Sequence, residues 1–116
     1  MKKKVFCFDL DNTICSTKKR NYKQSKPKKR IIRLINSLYE EGHTIKIYTA
    51  RYMGRNNDKI PNIKKIKLAI SNQLIDFGVK YNKLFISKPS ADIYIDDKAY
   101  GYNKNWIKDF TKFIKE

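Results

Sequence analysis

The stretch VFCFDLDNT, residues 5–13, decides how this 116-residue chain folds. An apolar run ends at Asp9 and Asp11, and a strand that ends in carboxylates places them at the carboxyl edge of a sheet, where open α/β folds bind ligands. Two acids crowded at that edge repel each other, and Mg²⁺ offsets such charge because hard cations take oxygen ligands. A second acidic pair, Asp96 and Asp97, ends another apolar run. The sequence therefore predicts a metal site between two strand ends.

Four strands and three helices are predicted from the apolar pattern along the chain. In the first helical segment apolar residues recur at i, i+3, i+4 and i+7, and Gly42 ends it, as Gly78 ends the second. Because strands alternate with helices, we expect a parallel sheet with helices on both faces. The predicted strands cover residues 4–10, 44–50, 83–87 and 92–96, the predicted helices cover residues 27–41, 61–77 and 103–115, and residues 11–26 and 51–60 are connections.

The length of the chain allows one domain, residues 1–116, but no separate substrate domain. Asp9 interrupts the first apolar run too early for a signal peptide, and no segment is long enough to cross a membrane. Two cysteines are too few for a disulfide framework, which is typical of a reducing cytosol. We therefore expect a cytoplasmic protein without a membrane partner.

The two cysteines have separate interpretations. Cys7 falls inside the first predicted strand, where a buried free thiol is expected. Cys15 lies close to the acidic pair and could be a nucleophile. However, His43, the one histidine of the chain, falls in a predicted turn with no link to Cys15, so a catalytic thiol is disfavoured.

The chain is strongly basic, with a formal net charge of +16 from 27 Lys and Arg against 11 Asp and Glu. Eight of the thirteen residues between Lys18 and Arg30 are basic and none is acidic. One interpretation is a surface for nucleic acid. The other is a compositional bias toward lysine, which we favour because Tyr22 is the only aromatic residue of that run. With either interpretation, the positive field attracts anionic substrates.

Chemically versatile side chains follow each of the four predicted strands. Because the carboxyl ends of parallel strands meet at one edge of a sheet, we expect these side chains to converge. A set of carboxylates, a hydroxyl and an ammonium suits phosphoryl transfer, which needs charge stabilisation and in-line positioning. The converging residues are Asp9, Asp11, Thr49, Lys88, Asp96 and Asp97.

Four short segments in this order resemble the four motifs of the haloacid dehalogenase-like superfamily of aspartate-nucleophile phosphatases. They are FDLDNT (8–13), YTAR (48–51), KP (88–89) and YIDDK (94–98). Neither usual cap position carries a large insertion, so the chain is similar to capless members, and its flanking sequence resembles small phosphatases of capsule and surface-polysaccharide gene clusters. The resemblance implies a three-layer Rossmann-like α/β fold whose fourth strand lies beside the first, in the order 4-1-2-3.

The resemblance also implies a role for each acidic residue. Asp9 would be the nucleophile that forms an aspartyl-phosphate, kept ionised by Mg²⁺ and Lys88, and it would also bind Mg²⁺. Asp11 would protonate the leaving oxygen and later activate water, and its backbone carbonyl would bind the metal. Asp96 would be the third Mg²⁺ ligand. The presence of Asp11 argues for phosphate ester hydrolysis, since dehalogenases of this superfamily need no acid for a halide.

The remaining motif residues would serve the phosphate. Thr49 and Lys88 would hold its non-bridging oxygens. Asn12 and Asp97 would contact the substrate or support the residues that contact it. For Asp97 an equal alternative is that it only ends a strand. Arg51 and Arg55 follow the threonine motif, where contact with phosphate and simple solvation in a loop are both open.

The sequence therefore predicts a Mg²⁺-dependent phosphomonoester hydrolase. Its expected substrate is a small sugar phosphate or a related metabolite of capsule or surface-polysaccharide biosynthesis. A capless site normally serves large substrates or is closed by a second subunit, so a homo-oligomer is one expectation. Two alternatives stay open: a phosphatase for nucleotides or nucleic-acid 3′ ends, which the basic run motivates, and a non-catalytic binding module that kept the fold.

Overall fold

The structure is a computed structural model that describes residues 2–53, 62–103 and 105–114. Strands and helices alternate along most of the chain, as the sequence predicts. In chain order the elements are β1 (Val5–Phe8), β2 (Cys15–Ser16), a 3-10 turn (Tyr22–Gln24), β3 (Lys26–Pro27), α1 (Lys29–Glu40), β4 (Thr44–Tyr48), α2 (Ile63–Phe77), β5 (Lys83–Phe85) and α3 (Trp106–Ile114).

A parallel sheet of three strands, in the order β1-β4-β5, forms the centre of the described chain. Phe6 lies opposite Ile45, and Phe8 lies opposite Ile47, so these apolar side chains share one face. The β-branched residues of β4 fit this pleated surface, and both isoleucines are fully buried. The first three predicted strands and their order are confirmed.

All three helices pack on one face of this sheet. Both crossovers step in the same direction, from β1 to β4 and from β4 to β5, and right-handed crossovers then place α1 and α2 on the same side. α3 joins them, since the Phe110 ring meets the Phe6 ring edge-on at 5.6 Å. The opposite face, with Cys7, Lys46 and Phe85, is half-buried or exposed. The expectation of helices on both faces is therefore not met by the described residues, which form two layers.

The structure does not show the predicted fourth strand. Residues 92–96 lie outside every strand, and the side chains of Ile93 and Ile95 are 77% and 96% exposed. A strand is not a local structure, because its backbone needs a neighbour to bond with and its apolar face needs a core. The alternating pattern in residues 92–96 therefore identifies a segment that is able to pair as a strand. β1 lies at an edge of the described sheet.

The basic connection contains structure that the sequence pattern did not predict. β2 and β3 pair antiparallel, with Cys15 opposite Pro27 and Ser16 opposite Lys26. The pairing leaves Thr17 and Ser25 buried beneath the hairpin. Two-residue strands have no measurable periodicity, so the signal for them was too short to detect.

The helix ends follow from local chemistry. α1 begins at Lys29 rather than at the expected residue 27, because Pro27 belongs to the hairpin. α2 ends at Gly78, whose φ of +73° is the left-handed conformation that glycine adopts without a Cβ clash. The expected start of this helix at Pro61 lies outside the described residues. Among the helices described, none combines the length and the apolar character that a membrane crossing requires.

Candidate active site

The loop after β1 directs two carboxylates away from the core. Leu10 and Ile14 are fully buried, and the Leu10 carbonyl accepts the backbone N–H of Ile14 at 2.8 Å. Asp9 and Asp11, which flank the buried Leu10 in the sequence, are both partly exposed. Asn12 completes the turn with a φ of +61°, and its side-chain oxygen accepts the Thr17 N–H at 3.1 Å. Asn12 therefore shapes the loop, whatever else it contacts.

Lys88 reaches this loop from the end of β5. Its ammonium nitrogen lies 3.8 Å from Oδ1 of Asp9. The pairing of β4 with β5 continues past the strands, because Thr49 N–H donates to the Phe85 carbonyl at 3.0 Å and Lys88 N–H donates to the Thr49 carbonyl at 3.1 Å. Three predicted site residues from distant parts of the sequence are thus brought to the carboxyl end of the sheet.

Two tyrosines that the sequence analysis missed surround the Lys88 ammonium. Its nitrogen lies 4.3 Å from the centre of the Tyr94 ring and 5.9 Å from that of Tyr48. The ring faces attract a cation and limit its freedom, so the ammonium is held beside Asp9. Tyr48 precedes Thr49 directly, and its position at the end of an apolar strand was the available signal.

Asp9 is crowded by protein atoms. Burial raises the pKa of its carboxyl group above the ordinary value, and the opposing effects of Lys88, the Leu10 N–H and the Thr13 side chain do not cancel that increase. The nearby charge of Asp11 raises this pKa further. Lys88 therefore favours the ionised form of Asp9, as the sequence analysis expects, while among the chain's own groups the effect of burial on this pKa is larger. An ionised Asp9 gains from any additional cation.

Thr49 is buried at the end of β4. Its residue surface is 1% exposed, and its hydroxyl oxygen accepts the Arg51 N–H at 3.1 Å. A hydroxyl that accepts one hydrogen bond still has its own hydrogen to donate. Thr49 therefore keeps a donor at the strand end while it holds the chain that leads to Arg51.

Arg51 is the unexpected member of the site. Its Nε lies 2.9 Å from Oδ2 and 3.1 Å from Oδ1 of Asp11, and its Nη2 lies 2.9 Å from Oδ1. Such a two-pronged contact is stronger and more directional than a single charged hydrogen bond. Arg51 is buried, so the alternative of a solvated loop arginine is excluded. Arg55, the other arginine considered, lies outside the described residues.

The hairpin encloses the Asp11–Arg51 pair. The Thr17 hydroxyl donates to Oδ1 of Asp11 at 2.6 Å, and the Ser25 hydroxyl lies 2.6 Å from that of Thr17. The Tyr22 ring lies over the guanidinium, with its centre 4.8 Å from the central carbon. The buried polar groups under the hairpin are therefore satisfied by one another.

Neither cysteine is prepared for nucleophilic chemistry. Burial raises the pKa of the Cys15 thiol, whose sulfur lies 3.7 Å from both Oδ1 of Asp11 and Nη2 of Arg51. A thiol with a raised pKa is a poor nucleophile, which agrees with the disfavoured catalytic alternative. Cys7 is exposed, contrary to expectation, because its side of β1 is the uncovered face of the sheet.

The second acidic pair does not join the first. Asp96 is exposed, and the backbone N–H of Lys98 donates to its Oδ1 at 2.8 Å; this bond, followed by one to Asp97, lowers the pKa of Asp96. Asp97 is exposed in the same turn. Within the described ranges, no three acidic, histidine or cysteine side chains form a group able to hold a metal ion. The described residues therefore do not show the three-ligand Mg²⁺ site expected from the sequence, which stays a prediction.

A solved structure has a similar overall fold. The crystal structure of a structural-genomics target from Vibrio cholerae, which carries no functional name, is similar to this chain with a TM-score of 0.76 and 25% identity, over 96% of this chain and 98% of that chain. No family model and no curated protein matches the sequence. The comparison supports the α/β arrangement across the chain and says nothing of activity.

Proposed function

We propose that this protein is a phosphomonoester hydrolase that acts through an aspartyl-phosphate on Asp9. The observation that carries the proposal is the approach of Lys88 to within 3.8 Å of Asp9, beside Thr49, at the carboxyl ends of three parallel strands. A carboxylate with a fixed ammonium and a hydroxyl nearby matches the needs of phosphoryl transfer, where positioning and charge stabilisation supply most of the catalysis.

In the first step an oxygen of Asp9 forms a bond to phosphorus while the ester P–O bond breaks. Lys88 and Thr49 bind the non-bridging oxygens, and their positive charge and hydrogen bond reduce the repulsion between the two anions. Asp11, which takes up a proton from solvent when the anionic ester binds beside it, transfers this proton to the departing alcohol oxygen. The products of this step are the free alcohol and a phosphorylated Asp9.

In the second step water attacks phosphorus. The Asp11 carboxylate takes a proton from this water as the bond between Asp9 and phosphorus breaks, which releases inorganic phosphate. Asp9 returns to a carboxylate, and Asp11 releases the proton to solvent and pairs with Arg51 again as a carboxylate. Each residue is thus ready for another substrate molecule.

We keep Mg²⁺ as the proposed cofactor, with Asp9, the Asp11 carbonyl and Asp96 as its ligands. When bound, it would neutralise charge between Asp9 and the phosphate. This set requires residues 92–96 to add to the free edge of β1, in the strand order predicted from the sequence. Burial of Ile93 and Ile95, now largely exposed, would favour that pairing by about 1.5–3 kcal/mol for each side chain.

The proposed substrate is a small sugar phosphate or a related metabolite of surface-polysaccharide synthesis, in the cytoplasm. This part of the proposal rests on the sequence resemblance, because fold and reaction do not define a substrate. A panel of phosphorylated sugars and nucleotides, assayed for phosphate release, is the direct measurement.

The proposed reaction is tested by comparing the wild type with Asp9→Asn on p-nitrophenyl phosphate, with and without Mg²⁺. We expect phosphate release from the wild type, stimulated by Mg²⁺, and none from the variant. Asp76→Asn makes the same chemical change on the exposed side of α2 and should behave as wild type. Equal activity of Asp9→Asn and wild type would end the enzyme assignment, and an inactive wild type would favour a non-catalytic binding module.

The hairpin favours a second candidate, a phosphatase acting on nucleotides or nucleic-acid 3′ ends. Its inner side contacts the Asp11–Arg51 pair, while its outer side carries exposed Lys18 and Lys26 along a cavity of about 430 Å³. A 3′-phosphorylated oligonucleotide should then be hydrolysed faster than its mononucleotide, with a rate that falls steeply with salt. Equal rates for both substrates would exclude preference for a nucleic-acid 3′ end, and no hydrolysis of either would exclude the candidate as a whole.

A further inference from the structure

We infer that Arg51 is a positioning residue that acts on turnover through Asp11 and not through the substrate phosphate. The inference rests on the proposed function and assigns to this buried arginine the task of fixing the acid–base group. The sequence analysis left two roles open for Arg51, contact with phosphate and solvation in a loop, and the inference replaces both.

The hydrogen bonds divide the two oxygens of Asp11 into an anchored and an available one. Oδ1 receives Nε and Nη2 of Arg51 at 3.1 and 2.9 Å and the Thr17 hydroxyl at 2.6 Å. Within the described ranges, Oδ2 receives only Nε of Arg51, at 2.9 Å. Oδ2 is therefore the oxygen that can carry the transferred proton while Oδ1 holds the carboxyl plane in place.

The burial of the two side chains shows which member of the pair supports the other. The Arg51 side chain is 3% exposed and that of Asp11 is 22% exposed, so the arginine is the inner member and the carboxyl group faces the opening. Ser25 lies 3.4 Å from Nη2, and the Tyr22 ring covers the guanidinium. A guanidinium held on both sides in this way is a rigid support for the carboxyl group beside it.

A positioned acid and a phosphate ligand predict different kinetics. Proton donation matters for a poor leaving group such as an alkoxide and matters little for p-nitrophenolate, which leaves without help. A phosphate ligand contributes equally to both esters and also to the binding of inorganic phosphate. The leaving-group dependence of kcat/KM and the inhibition constant of phosphate therefore separate the two roles.

The test compares wild type, Arg51→Lys and the control Arg33→Lys, which makes the same change on an exposed position of α1. For Arg51→Lys we expect kcat/KM to fall about tenfold or more on an alkyl phosphate and less than about threefold on p-nitrophenyl phosphate, a part of the usual contribution of general acid catalysis. Inhibition by inorganic phosphate should not change. Arg33→Lys should match wild type in all three measurements.

Two further variants keep the test decisive if Arg51→Lys folds poorly. Thr17→Val removes a further donor to Oδ1 without a change of charge. Its kcat/KM should also fall more on the alkyl phosphate than on p-nitrophenyl phosphate, but by a smaller factor than that of Arg51→Lys. In an Asp11→Asn background, Arg51→Lys should add no further selectivity. An equal loss on both esters, or weaker phosphate inhibition, would overturn the positioning role while leaving the hydrolase standing. A wild type inactive on both esters would overturn the two together.

Discussion

Replacing Asp11 by asparagine should destabilise the protein, because it leaves the Arg51 guanidinium buried without its anion. The arginine side chain is 3% exposed, and three of its contacts with Asp11 are between 2.9 and 3.1 Å. Removing one member of a buried ion pair costs about 3–5 kcal/mol. Asp11 is 22% exposed and asparagine still accepts one hydrogen bond, so we expect about 2–3 kcal/mol here.

Urea unfolding followed by circular dichroism measures this loss. With a slope of about 1.5 kcal/mol per molar urea, the midpoint should fall by about 1.3–2 M. Asp9→Asn is the matched control, because the Asp9 carboxyl has a raised pKa and only a 3.8 Å contact with Lys88, so removal of its charge should cost nothing or stabilise slightly. If Asp11→Asn unfolds at the same urea concentration as Asp9→Asn, the buried pair does not stabilise the fold as described.

Three further predictions concern Asp9, Lys88 and Mg²⁺. Because the folded pKa of Asp9 is raised, its protonated form stabilises the fold below about pH 4, and this contribution is lost as the pH rises through the folded pKa. In EDTA, the stability advantage of Asp9→Asn over wild type should therefore shrink on acidification. An advantage that grows on acidification would refute the raised pKa. Lys88→Met should lower kcat/KM by about 10²–10³-fold, while the exposed change Lys112→Met should not, and equal rates for the two would remove Lys88 from the site. Mg²⁺ should raise the melting temperature of the wild type but not that of Asp9→Asn or Asp96→Asn, and a wild type insensitive to Mg²⁺ would count against the cofactor.

The parts of the fold with a strong local pattern were predictable. Apolar periodicity, with Gly42 and Gly78 at helix ends, predicted the strands β1, β4 and β5 and the helices α1 to α3. The observed order of the three strands agrees with the order that the family resemblance implies. The uncovered face was not predicted, because the alternation of strands with helices favoured a sheet with helices on both faces. The apolar alternation in residues 92–96 also favoured a fourth strand. Whether a segment pairs depends on a partner elsewhere in the chain, which periodicity does not record.

The residues of the candidate site were also predictable only in part. Asp9, Thr49 and Lys88 were predictable because each follows a strand, and parallel strand ends meet. The pair of Asp11 with Arg51 was not, because it depends on the short hairpin whose buried hydroxyls complete it. The sequence signal available was an arginine two residues after a strand-ending threonine, and that spacing alone does not distinguish burial from solvation.

Charge balance at the site connects the metal question with the basic surface. Asp9 faces Lys88 and Asp11 faces Arg51, so the described site is close to neutral before substrate arrives. A phosphate monoester brings up to two negative charges into a region where Asp9 is already partly desolvated. The positive field of the whole chain attracts this ester, but long-range attraction does not stabilise charge at the reacting atoms. A further cation close to Asp9 would stabilise this charge, and that is the physical reason for which Mg²⁺ is the proposed cofactor.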